Sequence, residues 1–302
     1  MRWLKRALLI LLLLAVAGGI EFYLRPVSYF NESIYLGEDL AGIESRTIQV
    51  SGYRVHYLAE GPQNGPAIVL VHGLGSRAED WRMLAPYLAK AGFRVYLPDL
   101  LGFGRSQQPT DFSYAVRDQA AVVLGFIDAL GLKQVELGGW SMGGWIAELI
   151  AIQHPERVSR LILFDAAGLN VKPVWNTDLF TPTTAEQLSE LDTLLMPNPP
   201  PVPAFIARDI LRGVRQHGWV IKRAMAQMLT AQDVTDTLLP QLKMPVLIIW
   251  GSLDQITPLA LGQTMNRLIP QSQLNVIAGC GHLAPLQCAP DIGPALVRFA
   301  QQ

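Results

Sequence analysis

The spacing of apolar positions changes several times along this chain, and each change predicts a different element. An unbroken apolar run covers Ala7 to Ile20 and continues through Phe22, Tyr23 and Leu24, with only Glu21 interposed. A helix apolar on every side does not suit a water-facing surface. Trp3 to Leu24 as one helix extends roughly 30 Å, enough to cross a bilayer. A polar, irregular stretch of some amphipathic character follows to about Gly42. Beyond it, Arg46 to Val50 and Arg54 to Leu58 alternate, and Ser51-Gly52 can turn between them as in an antiparallel pair. Apolar clusters bounded by turn residues predict further strands at Ala67 to Val71, Arg94 to Leu97, Gln134 to Leu137, Arg160 to Phe164, Val246 to Trp250 and Leu274 to Ile277. Helical spacing separates most of them, at Glu79 to Lys90, Tyr114 to Leu130, Met142 to His154, Pro258 to Leu268 and Asp291 to Ala300. The alternation predicts an α/β fold with a mostly parallel eight-stranded sheet flanked by helices.

That rhythm fails from about Gly168 to Pro240, where prolines gather at Pro197, Pro199, Pro200, Pro201 and Pro203. Helical, Met-rich spacing returns over Asp209 to Met228, so the interval reads as a helical lid set into the sheet and not as a disordered loop. The expected organisation is an N-terminal membrane anchor (1–25), a juxtamembrane link (26–42), a core (43–167 and 241–302) and a lid insertion (168–240).

Charge refines the picture at the N-terminus. Arg2, Lys5 and Arg6 precede the apolar run, and Trp3 at one end and Phe22 and Tyr23 at the other sit where interfacial anchors belong. This predicts a single-pass anchor with a cytoplasmic N-terminus and the main domain outside the cytoplasm, as at a bacterial inner membrane facing the periplasm. Ala15-Val16-Ala17 also fits a small-residue cleavage site, so a cleaved export signal remains an alternative. Gly18-Gly19 could pair two such helices, which allows a homodimer. Elsewhere the formal net charge of −1 argues against a nucleic-acid partner. The two cysteines, Cys280 and Cys288, show no metal-ligand spacing. They are either a short-loop disulfide in an exported chain or two small buried apolar side chains.

Gly139-Trp140-Ser141-Met142-Gly143 matches G-x-S-x-G between a predicted strand and a predicted helix, the setting of a nucleophile elbow. Gly139 and Gly143 permit the close backbone approach of such a turn, and Ser141 would stand at a helix N-terminus. A serine hydroxyl needs a base, most economically a histidine held by a carboxylate. Of five histidines, His56 falls in a predicted edge strand, His154 at a helix end and His217 in the lid. His72 opens His72-Gly73-Leu74-Gly75 directly after a strand, the place of an oxyanion loop. His282, in Gly279-Cys280-Gly281-His282 after the last strand, remains for the base. Asp254 follows the strand ending at Trp250 and is the expected acid, with Asp165 as rival and Asp99 assigned to a structural turn.

His72-Gly-Leu-Gly with Trp81 downstream, Asp99 to Ser106, the Gly139 elbow, Trp250 to Asp254 with Pro258, and Gly281-His282 together resemble the α/β-hydrolase superfamily from about Ile43 to the C-terminus. The resemblance implies a serine hydrolase with Ser141, Asp254 and His282 as its triad and the N–H groups of Leu74 and Met142 as its oxyanion hole, needing neither metal nor organic cofactor. A leading membrane helix on such a core is similar to the membrane-anchored monoacylglycerol lipases and the bacterial anchored phospholipases A. That likeness implies a lipid-like acyl ester substrate met at the bilayer. The alternatives are a carbon–carbon bond hydrolase using the same triad and a non-catalytic acyl-binding membrane protein.

Overall fold

The computed structural model describes residues 2–302 and, within them, all side chains except those of Arg2, Leu4 and Lys5. The expected cytoplasmic placement of Arg2 and Lys5 therefore lies outside the described residues. In chain order the elements are α1 (Arg2–Leu24), α2 (Pro26–Ala41), β1 (Glu44–Val50), β2 (Tyr53–Glu60), β3 (Ala67–Val71), α3 (Ala85–Lys90), β4 (Arg94–Pro98), α4 (Val116–Ala129), β5 (Val135–Trp140), α5 (Met142–Gln153), β6 (Val158–Phe164), α6 (Ala185–Leu195), α7 (Ala204–Met228), β7 (Val246–Gly251), α8 (Leu259–Leu268), β8 (Ser272–Ile277), α9 (Ala284–Gln287) and α10 (Ala289–Ala300). The strands form one eight-stranded sheet in the order β1-β2-β4-β3-β5-β6-β7-β8. β2 is antiparallel to both β1 and β4, while β4, β3, β5, β6, β7 and β8 run parallel.

Successive strand side chains point to opposite faces, and each face buries its own core. Val69, Val71, Leu137, Leu163 and Ile248 pack with α4, α5 and α8. Ile68, Leu70, Ile162, Phe164 and Ile249 pack with α3 and α10 on the other side. With both faces covered, these strands read as continuous apolar runs, and their C-terminal ends line up at one edge. β2 is not the edge strand expected from its alternation, because β1 covers it; His56 on β2 is buried, with Nδ1 2.7 Å from Asp99.

Three local expectations need correction. The stretch 26–42 is a helix, α2, and not an irregular link. Pro26 sits in its first turn, where a missing N–H costs nothing. The N–H groups of Gly42 and Ile43 close the other end by donating to Asp39 and Glu38 carbonyls. Its polar positions dock on the core: the Arg105 guanidinium lies 4.4 Å from the Tyr35 ring centroid and pairs with Glu38, and Arg77 donates to Asn31. The single helix expected over Glu79 to Lys90 is a 3₁₀ turn, Ala78–Trp81, followed by α3. Pro86 has no N–H to offer the Arg82 carbonyl, so the helix restarts there. Within 168–240 a second helix, α6, precedes α7; Thr184 caps it by accepting from the Gln187 N–H.

The insertion between β6 and β7 is closed at its neck by a buried clasp. Thr235 N–H donates to the Gly168 carbonyl at 2.9 Å, and the Thr235 hydroxyl donates to the Glu148 carboxyl on α5 at 2.6 Å. Burial pushes the Glu148 carboxyl up to about 8; the Thr235 hydroxyl opposes the shift and the Asp236 charge adds to it. The unfolded chain gives up this proton near the ordinary carboxylate value of 4.5, so the folded state holds one extra proton between there and about 8. Stability contributed by the neutral acid is lost as pH rises through that window. Glu148→Gln keeps the shape without the charge. Between about pH 6 and about pH 9, wild type is expected to lose roughly 1–3 kcal/mol more than the glutamine variant in denaturant melts. Parallel losses in the two proteins would overturn this.

At the N-terminus α1 is apolar and unburied, with Arg6–Leu24 long enough to cross a membrane. Its C-terminal end rests on α7. Phe205 stacks on Tyr23 at 5.4 Å, Arg212 donates to the Leu24 carbonyl at 3.0 Å, and Asp209 accepts from Val27 N–H at 3.1 Å.

Candidate active site

The ends of β3, β5, β6, β7 and β8 deliver the expected polar groups to one edge. Ser141 follows β5 and begins α5 with φ 56° and ψ −118°, a left-handed conformation costly for a residue with a side chain. The turn is held open by its glycines. A Cβ on Gly139 would lie 2.0 Å from the Gly143 carbonyl oxygen, and one on Gly143 would lie 2.2 Å from the Val71 carbonyl oxygen. Neither position tolerates a larger residue without moving backbone. The Ser141 N–H stays in the sheet, donating to Phe164 at 2.9 Å, while its carbonyl accepts from Gly144, Trp145 and Ala167. Its Oγ has no hydrogen-bond partner among the described residues.

Asp254 and His282 are brought together from β7 and β8. His282 Nδ1 lies 2.8 Å from Asp254 Oδ2, and both residues are buried. Asp254 is itself fixed, because its Oδ1 accepts from the N–H groups of Ile256 and Thr257 at 2.8 and 2.9 Å. With Nδ1 committed, Nε2 is the ring atom left for a hydroxyl. Trp140, the residue before Ser141, ties the two segments: its Nε1 donates to the His282 carbonyl at 2.8 Å, and the rings lie 5.8 Å apart.

The His72 loop runs beside the serine, since a Cβ on Gly73 would come within 3.1 Å of Ser141 Cβ. His72 is fully buried, which lowers its pKa, and the neutral ring is held in one tautomer. Nδ1–H donates to the Gly73 carbonyl at 2.8 Å, and Nε2 accepts from Leu100 N–H at 3.0 Å. The N–H of Leu74 has no hydrogen-bond partner among the described residues, and that of Met142 opens a helix, where no intrahelical acceptor exists. Asp99 belongs to the turn below: it accepts from Ala78 N–H, Arg105 N–H and His56. Burial raises the Asp99 pKa, but these bonds, His56 first among them, outweigh it and leave the carboxyl below its usual range. His154 caps α5, and His217 lies 3.2 Å from Gln108.

Asp165, the rival acid, does not bond His282. Its Oδ1 accepts from Gly251 N–H at 2.7 Å, and its backbone is left-handed at φ 43°. Burial, reinforced by the neighbouring Asp254 carboxylate, raises its pKa well above the ordinary carboxylate value. Sequence reasoning missed Thr257, whose hydroxyl lies 2.8 Å from Asp254 Oδ2 and 3.2 Å from His282 Nδ1. Its spacing, three residues after Asp254, is that of an Asx-type turn and was the available signal. It also missed the Trp140 tether, for which no local pattern exists.

A cavity of about 380 Å³ opens beside Ser141. Leu74, Trp145, Trp175, Phe180, Met225 and Ile256 give it an apolar wall, and among the described residues Lys172 is its only cationic side chain. Cys280 and Cys288 are joined in a disulfide, which decides between the two sequence readings.

Residues 66–191 and 214–287 match the family described as alpha/beta hydrolase fold. The chain is 32% identical over 264 residues to a 2-hydroxymuconate semialdehyde hydrolase of Pseudomonas sp. (strain CF600), covering 81% of this chain and 89% of that one. It is 28% identical to Lipase 1 of Psychrobacter immobilis, covering 80% and 78%. Among solved structures, that of a membrane phospholipase A, described as a bacterial virulence factor, superposes with a TM-score of 0.83 at 28% identity and covers 98% of both chains. The strand order, the elbow at Ser141 and these likenesses agree, and the chain belongs to the α/β-hydrolase family.

Proposed function

We propose that this protein is a serine hydrolase of carboxylic esters that acts on lipid-like acyl chains at a membrane surface. The observation that carries the reading is the apolar cavity opening directly onto Ser141, in a chain whose exposed N-terminal helix is long enough to cross a bilayer. In the proposed reaction His282 takes the Ser141 proton as Oγ attacks the ester carbonyl. Asp254 fixes the imidazole tautomer and stabilises the imidazolium that forms. The tetrahedral oxyanion rests on the N–H groups of Leu74 and Met142, each worth roughly 3 kcal/mol to the transition state. The alcohol leaves with the proton from His282, and water, activated by the same ring, releases the acid. The insertion, with α6 and α7, acts as a lid over the acyl chain, and α1 anchors the chain with the main domain outside the cytoplasm.

A second reading is favoured by the likeness to the semialdehyde hydrolase, a carbon–carbon bond hydrolysis at the same serine. Against it, that substrate carries a carboxylate, and among the described residues the only cationic side chain lining the cavity is Lys172, which is exposed. The end-to-end likeness to a membrane phospholipase A, which spans α1 and α2, supports the lipid reading. The test is a substrate panel on the purified full-length protein in mixed micelles: monoacylglycerol, lysophospholipid, phospholipid and a ring-cleavage dienoate, with fluorophosphonate labelling alongside. Fatty acid release from a lipid ester with rapid labelling is expected. Turnover of the dienoate alone would replace this reading with the second, and absence of labelling would make the protein a binder.

A further inference from the structure

The disulfide brackets the histidine. Cys280 precedes His282 by two residues and Cys288 follows it by six, so the bridge closes a loop with the imidazole inside it. Each end is fixed to something rigid. The Cys280 carbonyl accepts from Leu253 N–H at 2.8 Å, next to Asp254, while the Cys288 carbonyl accepts from Asp291 and Ile292 at the start of α10. α10 is in turn packed on the sheet through Ile292, Leu296 and Phe299. The loop backbone is also held by the Trp140 indole on the His282 carbonyl at 2.8 Å and by Leu283 N–H on the Leu195 carbonyl of the insertion at 3.2 Å. Gly279 and Gly281 flank Cys280 and give that segment wide backbone freedom once a constraint is removed.

We propose that the Cys280–Cys288 disulfide is a positioning brace for His282, so that hydrolysis depends on the oxidised chain. The proposal rests on the hydrolase reading above. With a dithiol as the reductant, its thiolate attacks one sulfur, the mixed disulfide resolves through the second thiol, and the products are the Cys280 and Cys288 thiols and the cyclic oxidised reductant, two electrons and two protons having passed to the protein. The bridge suits the oxidising space outside the cytoplasm in which we place the domain.

The experiment compares full-length protein before and after reduction, with both thiols titrated, and a Cys280→Ala/Cys288→Ala variant, using a p-nitrophenyl acyl ester and a fluorophosphonate probe. Reduction is expected to lower kcat roughly ten- to hundredfold, the cost of a base displaced by about an ångström, with KM within about twofold. Labelling of Ser141 slows in parallel, far-UV circular dichroism is unchanged, and reoxidation restores the rate. The double variant is slow with and without reductant. Unchanged kcat in the reduced protein, even with a lowered Tm, overturns the proposal, as does a reductant effect that persists in the double variant. Should that variant fail to fold, the reduced wild type decides. Equal labelling of oxidised and reduced protein overturns the brace alone, whereas no labelling of either overturns the hydrolase reading and the brace with it.

Discussion

Ser141→Ala lowers kcat on p-nitrophenyl acyl esters by roughly 10⁵- to 10⁶-fold, the scale seen when a nucleophile is removed from a triad that acts as a unit. Stability hardly changes, because the Ser141 Oγ makes no hydrogen bond among the described residues and the left-handed backbone at φ 56° is set by the turn, whose carbonyl and N–H remain engaged. A change within about 0.5 kcal/mol is expected, as for a substitution that buries nothing new and breaks no network. The measurements are kcat, fluorophosphonate labelling and a denaturant melt on the same preparation. A variant that folds normally and keeps even a hundredth of the rate would remove Ser141 from the chemistry.

Asp254→Asn lowers kcat by about 10⁴-fold with little change in KM, because it reverses a tautomer and leaves the geometry in place. The asparagine carbonyl replaces Oδ1 and still accepts from the N–H groups of Ile256 and Thr257. Its amide then occupies the Oδ2 position, 2.8 Å from His282 Nδ1, and both atoms cannot donate. The ring moves its proton to Nε2, the atom that accepts from Ser141 in the proposed reaction. Asp165 cannot stand in. It is buried and occupied by the Gly251 N–H, and it makes no hydrogen bond to the imidazole. A loss smaller than about tenfold, or a loss matched by Asp165→Asn alone, would assign the acid differently.

Much of the scaffold was legible because its signals are local. The strands from Ala67 to Ile277 bury both faces, so they stand out as apolar clusters, and the helices between them keep a 3.6-residue spacing. The elbow was legible for a similar reason: five consecutive residues must satisfy one backbone turn, and the steric limits at Gly139 and Gly143 are set within a few ångströms. α2 was misread because its polar face is a docking face. Tyr35, Glu38 and Asn31 look like loop residues until Arg105 and Arg77, far along the chain, are placed against them. α6 was missed among the prolines because only its cap, Thr184, is a strong local mark.

The sequence by itself determined the alternation that makes an α/β sheet, the apolar N-terminal helix, the serine in its turn and the chain order Ser, Asp, His. Those follow from periodicity and from short-range sterics. Only the tertiary structure decided which carboxylate meets the histidine, that Thr257 and Trp140 hold the pair, that burial raises the Asp165 pKa, and that the cysteines bond around His282. Each of those depends on separate segments meeting at the sheet edge, where parallel neighbours end together. The separation between Asp254 and His282 along the chain carries no periodic signal. It is the burial of both sheet faces that supplies the free energy to close it.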